Sequence, residues 1–243
     1  MRINIDDVYS STWENYQRAK KSVSIIEKTL LEHRDLSAIS DVIPGFEAEK
    51  LEFGSYDKEN FAVLFVDMRR STQRAQLIGA EKTFLTMHVF LTALLEVVKC
   101  YKGKVIDIMG DGLMVFWGGK KARIEDNMVK TNAIQHAGLC GRDMLIVKDK
   151  VINKIISDED LGTSISIGIG VTFDSVIVTK IGISGSYDVK AFGDCINTAS
   201  HYAGQAVNKV KVSKKVKNEW PSSKGGTIRF ISVKDGDGYY LET

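Results

Sequence analysis

The chain has 243 residues, 44% of them hydrophobic, enough to bury a sizeable core in one large domain or one domain with an extension. A formal net charge of +2 is too balanced for a nucleic-acid footprint. Three scattered cysteines, Cys100, Cys140 and Cys195, are odd in number and lack metal spacing, and no signal-peptide core or transmembrane-length apolar run is evident; the expectation is a soluble cytoplasmic protein without disulfides, membrane or nucleic acid as partners.

Along 8–34, Val8, Trp13, Tyr16, Ala19, Val23, Ile26 and Leu30 recur mostly at steps of three and four, predicting an amphipathic helix. It either docks its apolar stripe on the main domain or serves as a dimerising or regulatory helix. Pro44, Gly45 and Gly54 make 35–60 irregular, so the division expected is a helical extension over 1–57 and a globular domain over 58–243. The run Phe61 to Val66 is short, apolar and rich in Val and Phe, a fully buried strand that ends in Asp67. A carboxylate there is costly unless it pairs or holds a metal, although a turn or helix-capping role is the blander reading.

A long helix is predicted over 73–101, then strands over 104–108 and 113–117 joined through Met109-Gly110-Asp111-Gly112, a hairpin pattern. Another helix spans 122–148, a second strand pair covers 163–171 and 175–181, and a helix covers 196–207. Strands over 209–212, 227–232 and 239–242 close the chain; the acidic turn at 235–238 lacks the ligand ladder of a calcium loop. The order predicts an α+β sheet with helices packed on one face.

If the 61–66 strand lies beside the 104–117 hairpin, Asp67 and Asp111 meet at one sheet edge. Paired carboxylates raise each other's pKa unless cations lie between them, and hard oxygen ligands with open positions suit Mg²⁺ or Mn²⁺ bound with phosphates. Two such ions roughly 3.5–4 Å apart clamp the attacking and leaving oxygens of an in-line displacement. Ser71 and Thr72, opening the following helix, would aim backbone N–H groups at phosphate. Together these features point to phosphoryl transfer.

FVDMRRST, then GKVIDIMGDGLMVFWGG (103–119), then GIGVTFDSVIVTKIGISGSYDVKAFGDCINTASHYA (168–203) resemble the three signature blocks of class III nucleotide cyclases, matching over about 60–243. The resemblance implies a ferredoxin-like catalytic domain acting as a homodimer with interfacial active sites. It implies that Asp67 and Asp111, with the Met68 carbonyl, hold two divalent ions, Mn²⁺ or Mg²⁺, and that Ser71 and Thr72 contact the phosphates. Asn197 of a second copy would orient the ribose, and Lys234 corresponds to a phosphate-binding lysine. The 3′-hydroxyl of a nucleoside triphosphate would then attack its α-phosphorus and expel pyrophosphate.

Departures from the family pattern concern the base and the transition state. Where the family reads its base, Asp107 and Lys190 stand here, an acceptor and a donor that reverse the adenine pair. They suit uracil, through N3–H and O4, and also present acceptable polarity to cytosine or guanine; alternatively they form a salt bridge with each other. The DMRRST turn and short N-terminal extension resemble the pyrimidine cyclases of bacterial anti-phage systems of the Pycsar type, whose cyclic UMP or cyclic CMP activates a separate effector. The expected product is cyclic UMP, with cyclic CMP, cyclic GMP or a degenerate nucleotide-binding sensor as alternatives. His201 stands where the family has an arginine that stabilises the transition state, on one helix face with Asn197. A protonated histidine could serve there, and Arg69 or Arg70 could supply charge.

Overall fold

The computed structural model describes residues 3–26, 43, 46, 51–119, 127–184, 186–221, 226–234 and 236–242. Strand β1 (Tyr56–Met68) is the centre of the fold, and its alternation explains why. Ala62, Leu64, Val66 and Met68 enter one core, whereas Phe61, Val63 and Phe65 enter another on the opposite face. A strand buried on both sides reads as continuously apolar, as 61–66 does.

Helix α1 (Ile5–Ile26) leads into the domain, and β1 is followed by α2 (Ser71–Cys100). The hairpin β2 (Lys104–Met109) and β3 (Gly112–Gly118) comes next. Helix α3 (Asn127–Val147) passes through a π turn at Lys148–Ile152 into α4 (Asn153–Asp158). Strands β4 (Ile167–Ile183) and β5 (Ser186–Phe192) precede α5 (Asp194–Gln205). The chain ends with β6 (Lys209–Val212), α6 (Lys214–Asn218), β7 (Arg229–Ser232) and β8 (Tyr239–Glu242). One sheet runs β2-β3-β1-β4-β6-β8-β7, with β5 paired to the far part of β4. All pairs are antiparallel except β4 with β6, which α5 connects as the crossover that a parallel pair requires.

The first core gathers residues of α1 to α4, such as Tyr16, Phe90, Ile134 and Ile155, whereas Cys195, Ala199 and Ala203 of α5 belong to the second. Helices therefore cover both faces, not one as the sequence order predicts. The expected pair at 163–171 and 175–181 is a single 17-residue strand, β4, whose partner β5 the sequence reading did not assign. The 122–148 helix extends further, through the π turn and α4, while 120–126 lie outside the described residues. The first helix begins at Ile5, and its expected continuation to 34 also lies outside them.

Helix α1 docks rather than dangles. Ser11 Oγ donates to Glu96 at 2.8 Å, Asn15 Nδ2 to Thr92 at 2.8 Å, and Tyr16 O–H to Glu159 at 2.6 Å. Against the sequence expectation, α2 is long and apolar enough to cross a membrane by length and composition; in this fold Leu85, Val89, Phe90, Leu94 and Val97 of that helix are buried in the core.

Candidate active site

β1 carries Asp67 to the rim of the sheet because Asp67 pairs in register with Gly112, the first residue of β3. The β2–β3 turn thereby presents Asp111 beside it, and the Met68 N–H donates to the Asp111 carbonyl at 3.1 Å. A Cβ at Gly112 would lie 2.7 Å from the Val66 carbonyl, so only glycine lets the hairpin approach β1 this closely. The expected meeting of Asp67 and Asp111 at one edge is observed, and both are partly exposed.

Arg69 shares this site. Its guanidinium forms an ion pair with Asp67, and Nη1 donates to the Gly204 carbonyl at 2.6 Å. Its N–H binds the Ser166 carbonyl at 2.8 Å. Burial pulls the Arg69 pKa down while the charge of Asp111 pushes it up, so the second carboxylate acts on the same guanidinium. Asp67 thus already holds one cation, the Arg69 guanidinium. Asp67, Asp111 and the Met68 carbonyl are oxygen donors of the type that could hold a hard divalent ion. No third His, Cys, Asp or Glu joins them among the described residues.

α2 starts at Ser71 behind Arg70, which adopts left-handed backbone geometry with φ of 58°. No side chain caps this end, leaving the first-turn N–H groups at Ser71, Thr72 and Gln73 available to an anion. A cleft of about 690 Å³ opens next to the turn, bordered by Arg69, Arg70, Gln73, Thr163, Ser164 and Ser166. Its arginines and hydroxyls suit anionic groups.

α5 lies flat on β4 because Gly168 and Gly170 have no side chains: a Cβ there would sit 2.1 Å from the Ala203 carbonyl and 1.9 Å from the Ala199 carbonyl. The helix thus exposes Asn197 and His201 on its outer side. The His201 ring lies 2.6 Å, Nε2 to Nε2, from the Gln205 amide. Asp107 on β2 and Lys190 on β5 are also exposed. Lys190 Nζ forms a 2.5 Å ion pair with Asp188, a partner that the alternative of an Asp107–Lys190 salt bridge did not include. Lys234 is exposed in the β7–β8 loop. The acidic turn is more than a hairpin closure, since Asp237 accepts a hydrogen bond from Tyr202 of α5 at 2.7 Å.

Within one chain the structure therefore joins Asp67, Met68 and Asp111 and sets them beside Ser71 and Thr72. It carries Asn197 and His201 on a separate helix. The sequence reading missed the Arg69–Asp67 pairing and the His201–Gln205 contact. The four-residue step from His201 to Gln205 is the one local signal that pointed to part of this.

A family model described as the adenylate and guanylate cyclase catalytic domain matches residues 53–228. A cytidylate cyclase of Escherichia coli is 24% identical over 217 residues, covering 81% of this chain and 46% of that protein. A uridylate cyclase of Gulbenkiania mobilis is 28% identical over 172 residues, covering 69% of this chain and 64% of that protein. This chain thus spans roughly half to two thirds of those relatives. Among solved structures, the adenylyl cyclase CyaB from P. aeruginosa superposes with a TM-score of 0.63 at 18% identity, covering 77% of this chain and 94% of that one.

Proposed function

Because this chain belongs to the adenylate and guanylate cyclase catalytic domain family, we propose that it is a metal-dependent nucleotide cyclase that converts a pyrimidine nucleoside triphosphate, UTP in preference to CTP, to its 3′,5′-cyclic monophosphate and pyrophosphate. The observation that carries this reading is the meeting of Asp67 and Asp111 beside the uncapped start of α2. Bound Mn²⁺ or Mg²⁺ would lower the pKa of the 3′-hydroxyl and neutralise charge at the α-phosphate. Asp67, Asp111 and the Met68 carbonyl would hold the ions, and Arg69 would then give up its ion pair with Asp67. The N–H groups of Ser71 and Thr72 receive phosphate oxygens, and Lys234 reaches the triphosphate tail.

Asn197 orients the ribose, and His201 donates a hydrogen bond to the phosphate during attack. Asp107 accepts from the base, and Lys190 donates to it after exchanging Asp188 for a carbonyl oxygen. In this reading Asp107, Lys190, Asn197 and His201 come from a second copy in a homodimer. Exposed Ile177, Ile181, Ile183, Tyr187 and Phe192 on β4 and β5 support this, since an apolar patch of that kind marks an interaction surface. In this reading residues 58–243 form the catalytic unit. The product is a messenger for a separate effector in anti-phage defence, made in the cytoplasm.

Incubation of purified protein with each of the four NTPs and Mn²⁺ tests the proposal. Cyclic UMP as the main product, lost in Asp67→Ala and Asp111→Ala, is the expected result. Cyclic CMP would correct the base, predominant cyclic GMP or cyclic AMP would overturn the pyrimidine assignment, and nucleotide binding without turnover would leave a sensor.

A further inference from the structure

Lys211 of β6 is 2% exposed, yet a buried ammonium is costly unless it is paired and hydrogen-bonded. Its surroundings show what it is bound to. Nζ donates to Gln205 Oε1 at 2.5 Å, lies 4.3 Å from the centroid of the Tyr202 ring, and stands 3.8 Å from Asp237 Oδ1. Gly238, at φ of 91°, lets the β7–β8 turn close over the lysine stem, because a Cβ there would come within 3.1 Å of Lys211 Cε.

An ammonium has three donors and no acceptor, so the Gln205 atom facing it must be the amide oxygen. The other end of that amide is then NH₂, which only donates. It lies 2.6 Å from His201 Nε2, which must therefore accept and carry no proton. The buried lysine settles an amide orientation and a ring tautomer that are otherwise ambiguous.

We propose that Lys211 is a positioning residue that, through Gln205, holds His201 as the neutral imidazole with its proton on Nδ1. The inference rests on the reading of His201 as a phosphate-facing group and deepens it: His201 works as a directed Nδ1–H donor, not as the imidazolium that would replace the family's arginine charge for charge. Protonating Nε2 requires breaking the Gln205 bond, because the amide NH₂ cannot accept. The other groups around His201 are Tyr202 on its own helix, Lys211 on β6, Asp237 of the β7–β8 turn, whose carboxyl is held below its ordinary range by the Tyr202 hydroxyl first and then by Lys211, and Arg69 at the Gly204 carbonyl.

Nitrogen-15 NMR of the histidine-labelled protein, with the His201 signal identified by its loss in His201→Asn, tests this without any turnover. At neutral pH the wild type should show an unprotonated Nε2 and a protonated Nδ1. Gln205→Leu, which removes the amide at an exposed position, should shift the ring toward the Nε2–H form. Lys211→Met should do the same, and Gln205→Glu, whose carboxylate accepts, should favour the imidazolium. An Nε2–H or imidazolium signal in the wild type overturns the proposal, as does a tautomer unchanged in Gln205→Leu. Absence of cyclase activity with the expected tautomer would instead sink the functional reading and leave the relay standing.

Discussion

Replacing Gly170 by alanine tests how α5 is seated, and its size can be worked out from the contact. The new Cβ would lie 1.9 Å from the Ala199 carbonyl and 2.8 Å from the Ala203 nitrogen and Tyr202 Cβ, whereas ordinary van der Waals contact begins at 3.4 Å. The nearest obstacles are helix backbone, so no rotamer change relieves them; α5 must lift from β4 by more than about 1 Å. Overpacking of this kind costs about 2 kcal/mol, within the usual range for inserted methyl groups. In a domain of this size that lowers Tm by about 4–8 °C. The same lift displaces Asn197 and His201 together, and a misplacement of about 1 Å can reduce turnover by about 100-fold. Calorimetry and steady-state kinetics on Gly170→Ala should therefore show a lower Tm, a reduced kcat and a smaller change in KM. A Tm within about 1 °C of wild type together with an unaltered kcat would refute the reasoning, because it would mean that α5 does not rest on the glycine backbone.

Arg69→Ala removes the cation paired with Asp67; under the proposed metal role Mn²⁺ should then bind about 10-fold more tightly by calorimetric titration, equivalent to about 1.4 kcal/mol, and weaker binding would show that Arg69 helps to assemble the site. Tyr16→Ala removes the buried ring that α1 places in the core and should cost about 3 kcal/mol in denaturant unfolding; a loss under about 1 kcal/mol would mean that α1 is a separable appendage. Lys20 first, then the Tyr16 hydroxyl, hold the Glu159 carboxyl below its ordinary value, while burial and that contact push the Tyr16 hydroxyl up to about 12. A lowered carboxylate pKa stabilises the fold above the unfolded value of 4.5 and ceases to do so as acid protonates it. Glu159→Gln should accordingly lower Tm at neutral pH, with the gap from wild type narrowing below about pH 4.5; a gap independent of pH would assign the effect to packing alone.

How much of this was legible in the sequence depends on the range of the interaction. The 61–66 run was readable because a strand covered on both faces has no polar alternate positions, and the MGDG turn because tight hairpins have few sequence solutions. From those two elements the meeting of Asp67 and Asp111 followed. β4 was split in two because Thr172 and Asp174 interrupt its apolar run, although Thr172 is buried and donates from its hydroxyl to the Cys195 carbonyl. β5 went unseen because SYDVKAF owes its strand geometry to pairing with β4, not to its own pattern. The placement of α5 on the second face depended on Gly168 and Gly170, whose meaning appears only when a helix crosses them. Lys211 looked like one more charged residue in a short polar strand; its burial is produced by the β7–β8 turn folding over it from far along the chain.

The Arg69 bridge gives the molecule a mechanical link between two parts of its chemistry. One guanidinium binds the Asp67 carboxylate and the Gly204 carbonyl near the end of α5. Under the proposed metal role, an ion taking Asp67 would free that guanidinium and loosen one of the tethers on the helix that bears Asn197 and His201. In a symmetric pair where each copy lends α5 to the other's site, filling one site would alter the residues offered to its twin. Such linkage is reciprocal by thermodynamic necessity. Metal titration of the wild type should then depart from a simple hyperbola, and Arg69→Ala should restore one.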